Sequence, residues 1–341
     1  MEKRRFAVIG VGGWGSRHLS AYADHPLVEV AAICDSSRKA LDAAGKKFGI
    51  RKRYTDHKRM LGAEKLDAVS IVTPDFAHAD LAVAAIESGV SVLIEKPLAT
   101  TLEECDRIGR ALRKNPVKFM VDFHNRWNPA MVRFKKAIER GEVGDVQTGF
   151  YRLSDNIFVP TEMLSWAGRS TVNWFLGSHC IDTLIWLLGD EVSQVYTVRR
   201  SKVLEGMGIP TADSYQSVLT FGRGATVLLE NSWILPRSHP LIDFKVQLIG
   251  DKGTLNYDGR PHLVEQFGPD KVEWPDVIVC PDVHGSPKGL GIDSIRYFAD
   301  CVCYDRQPMC GFEDGRKVTL VMLAMERSAD TGNPCPVGTG G

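Results

Sequence analysis

Along the first third of the chain, short apolar runs alternate with longer stretches of helical periodicity. The runs RRFAVIG, VEVAAICD, LDAVSIVT, VSVLIEK and VKFMVDFH are nearly continuous in hydrophobic residues. Between them lie WGSRHLSAYADH, SRKALDAAGKKFG, PDFAHADLAVAAIESG and LEECDRIGRALRKN, each with apolar residues on one helical face. Strands without polar alternation are buried on both faces. The pattern therefore predicts a parallel sheet covered by helices on each side. In the third helix Thr73 is the expected cap, Pro74 the first helical residue and Gly89 the stop.

From Asn125 the rhythm changes. A helix, PAMVRFKKAIERG, leads into DVQTGFYRLSD, and NWFLGSHCIDTLIWLLG reads as a mostly buried helix closed by Gly189, with Ile181, Leu184, Ile185 and Leu188 as its core stripe. VSQVYTVRR, DSYQSVLTFGRGATVLLENSW and DFKVQLIGDKGTLNYDG alternate at a period of two, and FGRGA joins two of these runs as a hairpin. IDSIRYFADCVCY and a segment at about 313–330 read as closing helices, and the tail Gly338–Gly341 reads as loose. The expected organisation is an α/β chain with a dinucleotide-binding domain over 1–124. An α+β domain over 125–341 follows, built on a large, open, mostly antiparallel sheet.

A length of 341 residues suits two domains. Lysine plus arginine equals aspartate plus glutamate, at 42 each, so net charge gives no pull toward nucleic acid or a membrane surface. No apolar stretch approaches the length of a membrane span. The 8 cysteines include no C-x-x-C pair, and Cys34 and Cys180 read as buried apolar residues. Reduced thiols, a cytoplasmic location and no bound metal are the expectations.

Chemistry enters at GVGGWG, which sets Gly10, Gly12 and Gly15 in G-x-G-x-x-G between a strand and a helix. Asp35 follows at the end of the next strand. In that context Gly10 permits a tight turn, Gly12 lets backbone approach a pyrophosphate at the helix N-terminus, and Gly15 lets helix and strand approach closely. Gly13 and Trp14 belong to the same turn. Asp35 suits the adenosine ribose hydroxyls and repels a 2′-phosphate, which favours NAD. Arg38, with Ser36 and Ser37, is the group that would hold that phosphate in NADP. Thr73, Pro74 and His78 sit beyond the third main strand, where such folds line the cofactor crevice. Glu95 and Lys96 end the next strand in EKP, where a lysine can steady a developing alkoxide. On the later helix, His179 and Asp182 stand three residues apart on one face. An imidazole exchanges protons near neutral pH, as an acid–base for a hydroxyl must.

GVGGWG, Asp35, TPDFAH, EKP, GSHCIDTLIWLLG and EDGRKVTLVMLAMERSADTGNPCPV, in that order over the whole chain, resemble the Gfo/Idh/MocA oxidoreductases. The resemblance implies a Rossmann domain followed by a domain whose open sheet packs against another subunit, in a homodimer or homotetramer. It implies NAD(P)-dependent oxidation or reduction of a carbinol or carbonyl carbon in a sugar, polyol or sugar derivative. Lys96 matches the family's EKP lysine, and His179 its proton-accepting histidine in G-x-H-x-x-D, with Asp182 the acid three residues on. The chain departs from the family at Phe175, where many members carry an aspartate that holds substrate hydroxyls. Replacement contacts are expected from Asn125, Arg126, Trp127, Tyr151, Arg152, Trp166, Arg169, Asn173 and Trp174, since aromatic and planar polar groups suit a sugar and arginine suits a charged one. Two other activities fit the same residues: redox-neutral NAD-dependent elimination or glycoside cleavage, and a non-catalytic NAD- or sugar-sensing role.

Overall fold

The computed structural model describes residues 2–259, 264–267 and 272–338. Of the tail expected to be loose, residues 339–341 lie outside the described residues. Two compact units divide the chain: residues 1–124 with 278–316, and residues 125–277 with 317–341.

In the first unit β1 (Arg4–Ile9), β2 (Val28–Cys34), β3 (Arg53–Tyr54), β4 (Ala68–Ile71), β5 (Ser91–Glu95) and β6 (Phe119–Asp122) form one sheet in the order β3-β2-β1-β4-β5-β6. All its pairings are parallel. The strand order reverses between β1 and β4, the place where such sheets leave a crevice at their carboxyl ends. Every residue of β4 and β6 is buried, which is why these strands read as unbroken apolar runs. The covering helices are α1 (Gly13–Ala23), α2 (Arg38–Phe48), α3 (His57–Ala63), α4 (His78–Glu87) and α5 (Leu102–Lys114). Ser37 caps α2 through its hydroxyl, and Thr101 and Glu104 close a reciprocal capping box on α5.

Two local expectations change. Pro74 precedes a 3₁₀ turn, Asp75–Ala77, and α4 begins only at His78. Asp75, not Thr73, supplies the local side-chain acceptor, from the Phe76 amide at 2.8 Å. The expected boundary between 124 and 125 is joined by two more, because residues 278–316 return to the first unit. There α9 (Leu290–Cys303) packs on α1, β5 and β6, and the Val121 amide donates to the Cys310 carbonyl at 2.8 Å.

The second unit holds α6 (Pro129–Glu139), β7 (Val146–Asp155), α7 (Ser178–Leu188), β8 (Val192–Arg200), α8 (Val203–Gly206), β9 (Ser214–Phe221), β10 (Thr226–Ser232), β11 (Ile242–Gly250) and β12 (Thr254–Asp258). Two short ribbons follow in sequence, β13 (Gln266–Phe267) with β14 (Val272–Glu273), then β15 (Asp282–Val283) with β16 (Ser286–Pro287), the latter in the first unit. After α10 (Phe312–Thr331), β17 (Cys335–Pro336) completes a 7-stranded sheet, β12-β11-β7-β10-β9-β8-β17. All its pairs are antiparallel except β10 with β7. The core on one side of this sheet includes Tyr151, Tyr215, Phe221 and Trp233.

The helix expected over Asn173–Gly189 is two segments. Asn173–Gly177 is one π turn, and the α-helix starts at Ser178. Gly177 makes this fit: a Cβ there would stand 2.7 Å from Asn173 Oδ1 and 3.1 Å from Asn231 Oδ1. The opening of α7 is buried all round, from Ser178 through Leu184, and of the expected core stripe Ile185 is only half-buried.

Candidate functional site

In the first unit the sequence-chosen residues collect at the carboxyl ends of β1, β2, β4 and β5. Gly10 takes φ +88°, and a Cβ there would lie 2.1 Å from the Val72 carbonyl oxygen. A Cβ on Gly15 would lie 2.0 Å from the Gly10 carbonyl. Glycine is therefore required at both points, for the turn and for the approach of α1 to β1. Gly12 and Gly13 instead face open space, with no atom near an added Cβ. The N-terminus of α1 has Gly12 as its cap, no side-chain hydrogen bond to it and no acid in its first turn. Exposed amides and an unopposed helix dipole there fit a pyrophosphate.

Asp35 is oriented by backbone. Its Oδ2 accepts from the Val11 amide at 2.8 Å and its Oδ1 from the Ser37 amide at 2.8 Å. Both oxygens keep acceptor capacity for ribose hydroxyls. Arg38 lines a cavity of about 270 Å³ with Arg53, Tyr54 and Arg59. His78 is buried. Its Nδ1 meets the Pro97 carbonyl at 2.7 Å and its Nε2 the Thr73 carbonyl at 3.0 Å, and burial lowers its pKa. With both nitrogens on backbone, His78 braces the loop after β4 against the loop after β5. The half-buried Thr73 and Pro74 flank that brace.

Glu95 is buried, and its Oε1 receives the Trp14 indole N–H at 2.7 Å and faces His18 Nε2 at 2.9 Å. Burial raises its pKa. Lys96 follows, half-buried, through a cis bond to Pro97. Asp122 lies opposite Glu95 on the neighbouring strand. Sequence reasoning missed His18, Ser70, Tyr22 and Asp122. Two signals were available: His18 sits one turn after Trp14 on α1, and Asp122 ends β6 much as Asp35 directly follows β2.

In the second unit, α7 presents His179, which is 6% exposed, and Asp182, which is 1% exposed. Arg126 grips Asp182 in a two-pronged pair, Nε to Oδ2 at 3.0 Å and Nη2 to Oδ1 at 2.6 Å, and its guanidinium lies 6.0 Å from the Trp186 ring centre. Asp182 is thus anchored to Arg126 by buried, charge-assisted bonds. Phe175 lies among aromatics, 6.0 Å from the ring centre of Trp166 and 5.7 Å from that of Trp233. Asn173 is buried and donates to Glu326 at 2.8 Å. Tyr151 is fully buried and stacks on Phe244 at 5.4 Å, while Arg152 pairs with Glu230 and Asp243. Asn125 and Trp174 are buried, Trp127 is half-buried and Arg169 is exposed.

A parallel sheet with a glycine turn, an uncapped helix start and an acid just after β2 fits a dinucleotide-binding unit. Comparison with known proteins agrees. Residues 4–123 match the family model described as oxidoreductase family, NAD-binding Rossmann fold, and residues 131–256 match the GFO/IDH/MocA C-terminal domain. The chain belongs to the Gfo/Idh/MocA family and is an NAD-dependent oxidoreductase. It is 31% identical to a D-apiose dehydrogenase of Paraburkholderia graminis, over 97% of this chain and 93% of the relative. It is 26% identical to the scyllo-inositol 2-dehydrogenase (NAD(+)) of Bacillus subtilis, over 97% and 95%. The fold matches myo-inositol 2-dehydrogenase from Lactobacillus plantarum with a TM-score of 0.86 at 22% identity, covering 99% of this chain and 100% of that one. Among the described residues no helix is long and apolar enough to cross a membrane.

The Arg126–Asp182 pair yields a stability prediction. Removing one partner of a buried ion pair strands a charge, so Arg126→Met should cost about 3–5 kcal/mol. The double variant Arg126→Met/Asp182→Leu should recover most of that loss. Urea unfolding of the two proteins checks this, and equal losses in both would contradict the pairing.

Proposed function

We propose that the protein oxidises a secondary hydroxyl of a sugar, polyol or sugar derivative, or reduces the corresponding carbonyl. The named activities of the relatives support this substrate class. The observation that carries the acid–base assignment is the locked state of Asp182. Of the two ionisable side chains facing one way on α7, the acid is held by Arg126, so His179 is the group suited to moving a proton.

NAD, when bound, accepts the hydride from the carbinol carbon. His179 would take the hydroxyl proton, and would return it in the reverse direction. Lys96, by its match to the family's EKP lysine, would donate a hydrogen bond that favours alkoxide character. Gly10, Gly12, Gly13, Trp14, Gly15, Asp35, Thr73 and Pro74 form the dinucleotide side, with His78 as a brace. Arg126 and Asp182 act as a pair that fixes the frame of the substrate side. Trp166 and Phe175 supply an apolar wall for the C–H face of a sugar, with Trp127, Arg169 and Asn173 as further contacts.

Two surface properties complete the reading. Tyr196, Val218, Leu228 and Phe150 are direct cross-strand neighbours on β8, β9, β10 and β7. Tyr196 is 40% exposed and Leu228 54%. A continuous apolar row on an open sheet suits a second copy of this chain, so we assign the sheet face to a homodimer or homotetramer. All eight cysteines are free, which suits a reducing cytoplasm.

His179→Ala and Lys96→Ala should each lower turnover about 100- to 10,000-fold on the sugar that reduces NAD best in a panel of sugars, polyols and sugar acids. Calorimetry should find their NAD affinity unchanged. Undiminished turnover in both variants would overturn the assignment. Phe175→Asp should raise KM for that sugar several-fold, in line with an aromatic contact of about 1 kcal/mol, and shift the panel toward substrates with an added hydroxyl. Leu228→Arg should reduce the molar mass measured by light scattering, whereas an unchanged mass would remove the sheet face as the interface.

A further inference from the structure

The catalytic reading leaves one buried polar cluster of the first unit unused. Four side chains form an unbroken line, and a fifth, Asp122, lies at its end. Tyr22 Oη lies 2.5 Å from Ser70 Oγ, Ser70 Oγ lies 3.1 Å from His18 Nδ1, and His18 Nε2 lies 2.9 Å from Glu95 Oε1. One ligand-type atom from each of His18, Glu95 and Asp122 falls within a set spanning at most 4.8 Å. Tyr22, His18, Ser70 and Asp122 are 0% exposed, and Glu95 is 7% exposed.

The direction of the hydrogen bonds fixes the histidine. A tyrosine hydroxyl and a serine hydroxyl carry one proton each. If His18 donated from Nδ1, either the Tyr22 or the Ser70 proton would be left buried without an acceptor among these groups. A buried orphan donor costs as much as the bond is worth or more. The consistent order is Tyr22 to Ser70, Ser70 to His18 Nδ1, and His18 Nε2–H to Glu95. His18 is therefore the neutral Nε2–H tautomer. Its burial agrees, pushing its pKa down to about 4.

A neutral His18 leaves the two carboxyls facing each other without a cation between them. Neither oxygen of Asp122 meets a hydrogen-bond donor among the described residues. The Ser294 hydroxyl of α9 lies alongside, 3.4 Å from the Gly291 carbonyl, and its proximity works to lower the Asp122 pKa against the larger effects of burial and Glu95. The other charged or ionisable groups around the pair are Lys96, which favours ionised Glu95, and His124, whose pKa burial and Lys96 push down to about 3. Two adjacent buried carboxylates cannot both ionise at neutral pH.

We propose that Glu95 and Asp122 share a single proton at neutral pH, which makes Asp122 a positioning residue for Trp14 and Lys96. The bridging proton gives Asp122 the partner it otherwise lacks. It also leaves Glu95 Oε1 free to accept from Trp14 and His18 at once. Trp14 belongs to the cofactor turn and Lys96 follows Glu95, so the pair sets the spacing between those two functional elements. The proposal rests on the reading of Lys96 and the glycine turn only for its consequence; the shared proton stands on the unit's own geometry.

Burial and the neighbouring Glu95 raise the Asp122 pKa well above its usual 3.8. The folded protein thus holds a proton that the unfolded chain has released. That contribution is complete at acidic pH and is lost as pH rises through the pKa of the pair. His18 acts in the opposite sense: its contribution is lost as pH falls below 6.5 toward 4. The test is cofactor-free urea unfolding of the wild type and Asp122→Asn from pH 6.5 upward, with infrared spectroscopy of the wild type in parallel. We expect the wild-type folding constant to fall, relative to Asp122→Asn, by up to tenfold per pH unit below the pKa of the pair. We expect a protonated carboxylic C=O band at neutral pH in the wild type, absent from Asp122→Asn. The band needs no variant to be seen, so the proposal stays testable if Asp122→Asn fails to fold. Equal pH slopes, no carboxylic band, or a stoichiometric metal ion in the purified wild type by mass spectrometry would each overturn it. Undiminished turnover in His179→Ala and Lys96→Ala would overturn the catalytic reading and leave the shared proton untouched, so the two readings fail separately.

Discussion

One carboxylate oxygen, Glu95 Oε1, accepts from the Trp14 indole and faces His18 Nε2, and both donors come from the first turns of α1. This contact ties the glycine turn after β1 to the end of β5, two strands away in the sheet order. The turn itself is held by steric necessity: Gly10 and Gly15 leave no room for a Cβ, so α1 can enter at only one height above β1. Height and lateral position are thus set by different means, close packing for the first and a buried hydrogen bond for the second. A cofactor cradle made of backbone amides needs both, since amides cannot reach for a ligand as side chains can.

Much of this was legible in the sequence. Unbroken apolar strands signalled a doubly covered parallel sheet, and the glycine spacing gained meaning from the strand before it and Asp35 after it. Other parts were illegible for physical reasons. The pattern of IDSIRYFADCVCY shows that α9 has a buried face but not which sheet it covers, so the return of residues 278–316 to the first unit could not be read. The π turn at Asn173–Gly177 depends on how closely Gly177 approaches Asn173 and Asn231, and Asn231 is distant in sequence. Asp122 needed the strand register that sets it opposite Glu95.

The H-x-x-D spacing on α7 is instructive in the same way. Three residues on a helix place two side chains on one face, and the natural inference is that the acid serves the histidine. The acid is held by Arg126, far back in the chain, in a geometry that uses both carboxylate oxygens. A bidentate pair this deeply buried is costly to desolvate and is weak support for stability as such. Its value lies in direction. It pins α7 to the segment following β6 within the second unit, and so fixes the rotation of the helix on which His179 stands.

On the proposed reading, Phe175 bears on the kind of substrate that helix would meet. A carboxylate where many family members have one would hold a sugar hydroxyl through a charge-assisted bond, worth about 1.5–3 kcal/mol. A phenyl ring packed with Trp166 and Trp233 offers about 0.5–1.5 kcal/mol of contact instead, and leaves a hydroxyl at that point without a partner. The difference acts twice: it weakens recognition of a hydroxyl and penalises its desolvation. Neither effect reaches the proton chemistry of His179, one turn on. On that reading the reaction type would follow from the residues kept on α7, and the choice of substrate from the residue replaced before it.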